Sequence, residues 1–99
     1  MQAVLDGTVL AEADDADVVT IEGNWYFPPD AVTSQALNES DTPYTCPWKG
    51  KAQYFDVQTS EALHPDAAWS YPEPQASAIG RVGRDFTGFV AFDKQVTVG

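Results

Sequence analysis

The residues whose types and spacing could support chemistry gather between positions 45 and 54. This stretch holds the only cysteine, Cys46, and two lysines, Lys49 and Lys51, on either side of Gly50. Two such ammonium groups can bind a phosphate or a carboxylate, or they can pair with surface acids. Cys46 as a nucleophile needs a base, and the only histidine, His64, belongs to another segment. We therefore interpret Cys46 as a buried structural thiol, with the nucleophile as the alternative.

Large rings with polar tips form a second group of candidate residues. Trp48 and Tyr54 belong to the lysine-containing stretch, while Trp69 and Tyr71 form a second aromatic segment before Pro72. The polar atom of such a ring needs a hydrogen-bond partner when the ring is buried, and the sequence contains more Trp and Tyr residues than a small core needs. We predict that the two segments face each other across a small-molecule pocket, with core packing as the alternative. The predicted ligand-binding residues are Tyr26, Cys46, Trp48, Lys49, Lys51, Tyr54, Trp69 and Tyr71.

The charge balance narrows the classes of partner. Fifteen Asp and Glu against five Lys and Arg give a net charge of −10. A field of this sign repels phosphate backbones and anionic membranes, so we expect no nucleic-acid partner and no membrane partner. An acidic surface suits either a basic partner or a salt-loving organism, and we favour the halophilic interpretation. One cysteine and one histidine offer no metal-ligand set, so we predict neither a metal nor a cofactor.

Motifs of the large enzyme classes are missing from the sequence. It contains no Gly-rich phosphate-binding pattern, no Gly-x-Ser-x-Gly elbow and no histidine-containing metalloprotease motif. No apolar run reaches the roughly 20 residues of a membrane helix. The opening residues lack a basic region and a long apolar segment, so we expect no signal peptide and a cytoplasmic location. We expect a monomer or a weak homodimer.

The pattern of turns and apolar residues predicts the fold class. The length suits a single domain spanning residues 1–99. Asp6-Gly7 between two apolar runs predicts a tight hairpin, and the alternation of residues 51–58 predicts a strand. A short helix is predicted near residues 30–38, with Asp30 as its cap. The expected fold is mainly β, a compact antiparallel barrel or folded sheet of about seven or eight short strands.

Several segments resemble the domain-of-unknown-function family numbered 427, in the right order along nearly the whole chain. The most specific are a Cys-Pro-x-Lys-Gly motif and an Ala-x-Trp-x-Tyr-Pro motif. The segments are Gly7 to Glu12, Trp25 to Pro28, Thr45 to Tyr54, Ala67 to Pro74 and Gly88 to Phe92. The resemblance implies a small, single-domain, mostly β protein, and the family carries a nucleotidyltransferase-like label. Its signature falls on Cys46, Lys49, Gly50, Tyr54, Trp69, Tyr71 and Pro72.

Two functions from different classes remain open at this point. The first is a binding module for a small polar or anionic molecule, held in the aromatic-lined pocket beside Lys49 or Lys51. The alternative is an enzyme acting on a nucleotide or another phosphorylated compound, with Lys49 for charge and Cys46 or His64 for chemistry. The sequence lacks the Gly-Ser pair of a known nucleotidyltransferase fold. An acidic interaction protein with a basic partner ranks third.

The halophilic interpretation predicts how stability depends on salt. Because fifteen acids repel one another more strongly as screening weakens, the free energy of unfolding should rise with salt concentration. Urea unfolding in dilute buffer and in molar salt measures this change. Equal stability in both conditions would contradict the interpretation.

Overall fold

The computed structural model describes residues 1–99 and confirms a mainly β fold. Nine strands form three antiparallel sheets, and there is one α-helix. The strands are β1 (Gln2–Leu5), β2 (Thr8–Glu12), β3 (Val19–Ile21), β4 (Asn24–Tyr26), β5 (Leu37–Cys46), β6 (Gly50–Gln58), β7 (Leu63–Ser70), β8 (Val90–Phe92) and β9 (Thr97–Val98), and the helix is α1 (Ala76–Val82).

The first sheet has the strand order β2-β1-β9. Its hairpin turns at Asp6 and Gly7, which have φ angles of 52° and 74°. Two successive residues with positive φ make the tight turn whose twist suits a two-residue hairpin, as the Asp-Gly pair predicted.

The second sheet is the β3–β4 hairpin, and its turn lies at Glu22 and Gly23. The φ angles are 54° at Glu22 and 80° at Gly23, so a glutamate occupies the left-handed region. Residues other than Gly, Asn and Asp adopt this region rarely. Asn24, the residue after this turn, already belongs to β4.

The third and largest sheet has the strand order β5-β6-β7-β8. It stays open, so the folded-sheet form of the prediction applies rather than the barrel. The alternation predicted for β6 is present: Ala52 packs in one core cluster and Val57 in another. On β8, Ala91 belongs to the cluster of Ala52, while Val90 and Phe92 belong to that of Val57. Because neighbouring residues of a strand point to opposite faces, the two clusters cover opposite faces of this sheet.

A different layer covers each face of the large sheet. The face that carries Val57 packs against the β1–β2–β9 sheet through Ala3, Leu5 and Leu10. The face that carries Ala52 packs against the β3–β4 hairpin, the helix α1 and Phe86. The large sheet therefore has packed elements on both faces, and the β3–β4 hairpin is also joined to β8 at the edge of the sheet, where Phe27 and Val90 exchange two backbone hydrogen bonds. No helix has both the length and the apolar character needed to cross a membrane.

The prediction of a helix near residues 30–38 is wrong. Two single 3-10 turns, Pro29–Ala31 and Ser34–Ala36, occupy this region, and β5 begins at Leu37. Leu37 lies opposite Val57 of β6 in the ladder. A helix this short is marginal by itself, so strand pairing overrides the local helical pattern. The only α-helix is α1, and it ends at Gly83 with φ 85°.

A polar network centred on Asp6 joins three separate segments of the chain. Oδ2 of Asp6 accepts a hydrogen bond from Oγ1 of Thr59 at 2.7 Å and lies 2.8 Å from Nε2 of His64. The other ring nitrogen of His64 lies 3.1 Å from the side-chain oxygen of Gln95. The network ties the β1–β2 turn to the start of β7 and to the segment before β9. The hydrogen bond from Thr59, followed by that from His64, lowers the pKa of Asp6 against the opposing effect of burial.

We predict that Asp6→Asn lowers the free energy of unfolding near neutral pH and makes the protein less sensitive to acid. A lowered folded-state pKa stabilises the protein above the ordinary carboxyl pKa, and this contribution is lost as pH falls through the folded value. Asn tolerates the left-handed backbone, so the turn should survive. Urea unfolding across the acid range measures the difference. The control is Asp30→Asn, since Asp30 is exposed, and identical pH profiles for the two variants would contradict the prediction.

Candidate functional site

The turn between β5 and β6 presents the residues of the predicted lysine-containing stretch. Cys46 lies opposite Gly50 in the ladder, and Trp48 and Lys49 lie between them. Gly50 has φ 117°, and a Cβ built there would lie 3.3 Å from the carbonyl oxygen of Glu73. The backbone N–H of Gln75 donates to the carbonyl of Lys49 at 2.9 Å. The turn is therefore held against the segment that leads into α1, and a glycine allows the close approach.

Lys49 is the most unusual residue of this turn because it is only 4% exposed. Its Nζ lies 4.8 Å from the ring centroid of Trp48 and 5.3 Å from that of Tyr71. The same nitrogen donates a hydrogen bond to Oε1 of Glu22, and the two side chains form an ion pair. The side chain of Glu22 is 55% exposed. A buried cation thus lies between two aromatic rings and a carboxylate that faces solvent.

The pKa values of the pair show that both members stay charged near neutral pH. Burial by itself would lower the pKa of Lys49, but the hydrogen bond to Glu22 and the nearby charges outweigh it, so the pKa of Lys49 is raised. The hydrogen bond from Lys49 lowers the pKa of Glu22, against a smaller opposing effect of burial. Removing either partner would leave the other without its counter-ion, and this cost is greatest for the buried lysine.

A second cation reaches the same indole ring. The guanidinium carbon of Arg81, on α1, lies 4.6 Å from the ring centroid of Trp48. Guanidinium groups stack well on aromatic faces and present a fork of donors to carboxylates and phosphates. We call Glu22, Trp48, Lys49 and Arg81 the Trp48 site. It combines a flat ring, two cations and one exposed carboxylate, contributed by the β3–β4 turn, the β5–β6 turn and α1.

Three predicted site residues lie behind Lys49 and are buried. Tyr26 is 1% exposed, Tyr71 3% and Cys46 5%. The rings of Tyr26 and Tyr71 lie 6.5 Å apart, and Phe86 packs edge-on against both. Burial is the main cause that raises the pKa of Tyr26 and of Tyr71, so both hydroxyls are neutral at physiological pH. These side chains form the floor of the Trp48 site rather than an open cavity.

Cys46 has no base within reach in this arrangement. The thiol is free and packs in the core cluster of Tyr26 and Tyr71. The only histidine, His64, has both ring nitrogens engaged by Asp6 and Gln95. No hydrogen bond connects the cysteine to the histidine, so the structure does not bring a nucleophile and a base together.

Tyr54 and Trp69 lie on the large sheet as direct cross-strand neighbours. Their ring centroids are 6.3 Å apart, and the indole N–H of Trp69 donates to the hydroxyl of Tyr26 at 3.0 Å. Tyr44 continues the row, with its ring centroid 6.5 Å from that of Tyr54. The two aromatic segments of the sequence therefore touch through strand pairing. Trp48 belongs to the other end of this aromatic row, beside Lys49 and Tyr71.

Lys51 does not share a site with Lys49. It is exposed and lines a shallow hollow of about 260 Å³ together with Ala52, Gln53, Pro72 and Glu73. Lys49 takes no part in this hollow. Alternation alone would place two residues that are two positions apart on the same face, but Lys49 precedes β6 and the positive φ of Gly50 between the two lysines interrupts the alternation.

Sequence reasoning missed Glu22 and Arg81, the two residues that complete the Trp48 site. Their contacts with the β5–β6 turn join distant parts of the chain, and no local motif marks them. The scarcity of cations was the one available signal, because the whole chain holds five Lys and Arg. No group of three or more His, Cys, Asp or Glu residues has the arrangement to hold a metal ion.

Comparison with known proteins agrees with the resemblance found in the sequence. No curated protein matches the chain. The family profile described as a domain of unknown function, DUF427, matches residues 1–98. This match covers almost the full length and therefore includes both aromatic segments and the lysine-containing turn. The chain belongs to the DUF427 family of domains of unknown function.

Proposed function

We propose that this protein is a binding module for a small anionic or polar molecule, and that the anion binds at the Trp48 site. The observation that carries the proposal is the convergence of Lys49 and Arg81 on one indole ring. The chain has a net charge of −10 and only five cationic side chains. Placing two of them on the same ring creates a local positive region within an otherwise repulsive field.

The burial of Lys49 supports a role beyond packing. Removing an ammonium group from water costs several kcal/mol, and an apolar residue of similar volume often stabilises a protein as well as a buried ion pair does. An ammonium group at such a buried position is suited to the recognition of an opposite charge. The rings of Trp48 and Tyr71 lower the cost through cation–π attraction and keep the ammonium in place.

Glu22 supports the proposal as an internal stand-in for the ligand. Its carboxylate already occupies the position at Lys49 that an external carboxylate or phosphate oxygen would take. More than half of its side chain is in contact with solvent, and it lies in a strained left-handed turn. These features make Glu22 displaceable. A ligand anion would replace it at Lys49 and accept further hydrogen bonds from Arg81.

Binding without chemistry is the function that the geometry supports best. The site offers charge, stacking and hydrogen-bond donors, but it places no nucleophile beside a base. The enzyme alternative, acting on a nucleotide or another phosphorylated compound, would use the same Lys49 charge. Product formation from a nucleotide with Mg²⁺ would support that alternative over simple binding.

We predict that Lys49→Met weakens anion binding about tenfold to a hundredfold. A hydrogen bond to a charged group contributes about 1.5–3 kcal/mol, and about 1.4 kcal/mol corresponds to a factor of ten. The affinity is measured by calorimetric titration of phosphate, acetate and ATP, with circular dichroism to confirm the fold. The matched control is Lys94→Met, which removes the same charge from an exposed position. Equal losses of affinity in the two variants would show that the effect comes from net charge and would contradict the proposal.

We predict that Glu22→Gln acts in opposite directions on affinity and stability. Without its counter-ion, Lys49 is destabilising, so the free energy of unfolding should fall in the absence of ligand. The same change removes the internal competitor, so the anion should bind more tightly than to the unmodified protein. Thermal unfolding with and without the anion measures both effects. Weaker binding and lower stability together would mean that Glu22 does not compete with the ligand.

A further inference from the structure

A second surface of the protein has the opposite character to the Trp48 site. It lies on the large sheet, on the face that carries Ala52, beyond the area covered by the β3–β4 hairpin and α1. Tyr44 lies opposite Ala52 in the ladder, and Tyr54 shares that face because it follows two positions later on β6. Asp56 continues the same alternation. We call the residues Tyr44, Tyr54, Asp56 and Asp66 the Tyr44 face.

Hydrogen bonds place Asp66 on the Tyr44 face. Its Oδ2 accepts from Oγ1 of Thr42 at 2.7 Å, which bridges β7 and β5 across β6. Its backbone N–H donates to Oδ1 of Asp56 at 3.0 Å. Burial raises the pKa of Tyr54 most, followed by the neighbouring Tyr44 and the charge of Asp66. The carboxylate of Asp66 therefore lies near the ring of Tyr54. The four residues thus form one continuous patch.

Two features of the Tyr44 face lack a partner within the chain. Tyr44 is 46% exposed, and its ring lies at 61° to that of Tyr54, so that two inclined aromatic surfaces meet solvent. The ion pairs of the protein use other carboxylates, and neither Asp56 nor Asp66 has a cationic partner. Negative charge beside exposed rings attracts ammonium and guanidinium groups.

We propose that the Tyr44 face docks a basic peptide segment of a partner protein, with a lysine or arginine side chain on the rings of Tyr44 and Tyr54 beside Asp66. Charge complementarity selects this occupant, because a net charge of −10 steers a cationic segment toward the protein. The function of the Trp48 site is independent of this docking.

The shape of the surface favours a peptide over a small cation. None of the four hollows of the surface is lined by Tyr44 or Tyr54, so the face is open. Small ligands need a concave site, whereas an extended segment spreads its contacts over a flat one. The strand that carries Tyr44, β5, is also the edge strand of the large sheet and runs for ten residues. Pro43 and the shifted register between Glu39 and Pro43 interrupt this edge, so the contacts of an extended partner are with the rings and carboxylates of the face.

The test is a titration of a short Lys/Arg-rich peptide into the whole protein, followed by NMR and calorimetry at a salt concentration of about 0.1 M. We expect Tyr44→Leu to weaken the complex about two- to fivefold, as for loss of one exposed cation–π contact. Asp66→Asn should weaken it as well, and Asn tolerates the positive φ of this position. The matched controls are Trp25→Leu, which removes a ring that is 41% exposed elsewhere, and Asp17→Asn, which removes an exposed charge.

Each outcome of the titration decides for or against the docking surface. Selective weakening by Tyr44→Leu and Asp66→Asn, with shifts at the Tyr54 and Asp56 amides, supports it. Equal weakening by Asp17→Asn would assign the binding to net charge and overturn the proposal. A peptide of Glu in place of Lys and Arg that binds equally well would also overturn it. If tetramethylammonium at the same charge concentration binds as tightly, the occupant is a small cation and the peptide assignment is wrong.

Discussion

The ion pair between buried Lys49 and exposed Glu22 is the interaction on which the arrangement of this protein depends most. The lysine belongs to the β5–β6 turn, and the glutamate belongs to the β3–β4 turn. Because a charge this deeply buried is tolerable only beside an opposite charge, the pair fixes the hairpin against the large sheet in the absence of a ligand. The hydrogen bond from Gln75 to the Lys49 carbonyl then draws the start of α1 to the same turn. Three separate elements therefore meet at Lys49, two through its ammonium group and its own turn and the third through its backbone carbonyl.

The distribution of the few cations follows from this constraint. Lys49 and Arg81 both lie over Trp48, which leaves the rest of a highly acidic surface with little positive charge. On the outer part of the large sheet, the carboxylates of Asp56 and Asp66 form no ion pair and lie beside the exposed Tyr44. The two ends of this aromatic row thus differ in the sign of the charges beside them. Trp48 presents its ring to cations of the chain itself, whereas Tyr44 and Tyr54 present theirs to solvent.

Local patterns were reliable where the local chemistry is strong. Asp6-Gly7 predicted its hairpin because both residues accept a positive φ, and the alternation along β6 predicted which of its residues share a face. The pattern at residues 30–38 failed because its helical preference is weak and the ladder with β6 stabilises an extended chain from Leu37 onward. The pairing of β5 with β6 is not local, so no window of the sequence reports it.

The sequence by itself determined the fold class, the family, the acidic surface and the grouping of lysines and rings around Gly50, because these follow from composition, periodicity and short motifs. Only the tertiary structure decided which of those residues act together. In the folded chain Lys49 is buried while Lys51 stays on the surface. The side chains of Tyr26, Tyr71 and Cys46 lie behind Lys49. Glu22 and Arg81 lie beside Lys49 and Trp48. The reason is physical: the direction of each side chain at the turn depends on the φ of Gly50 and on what packs against it. Both depend on residues far away in the chain.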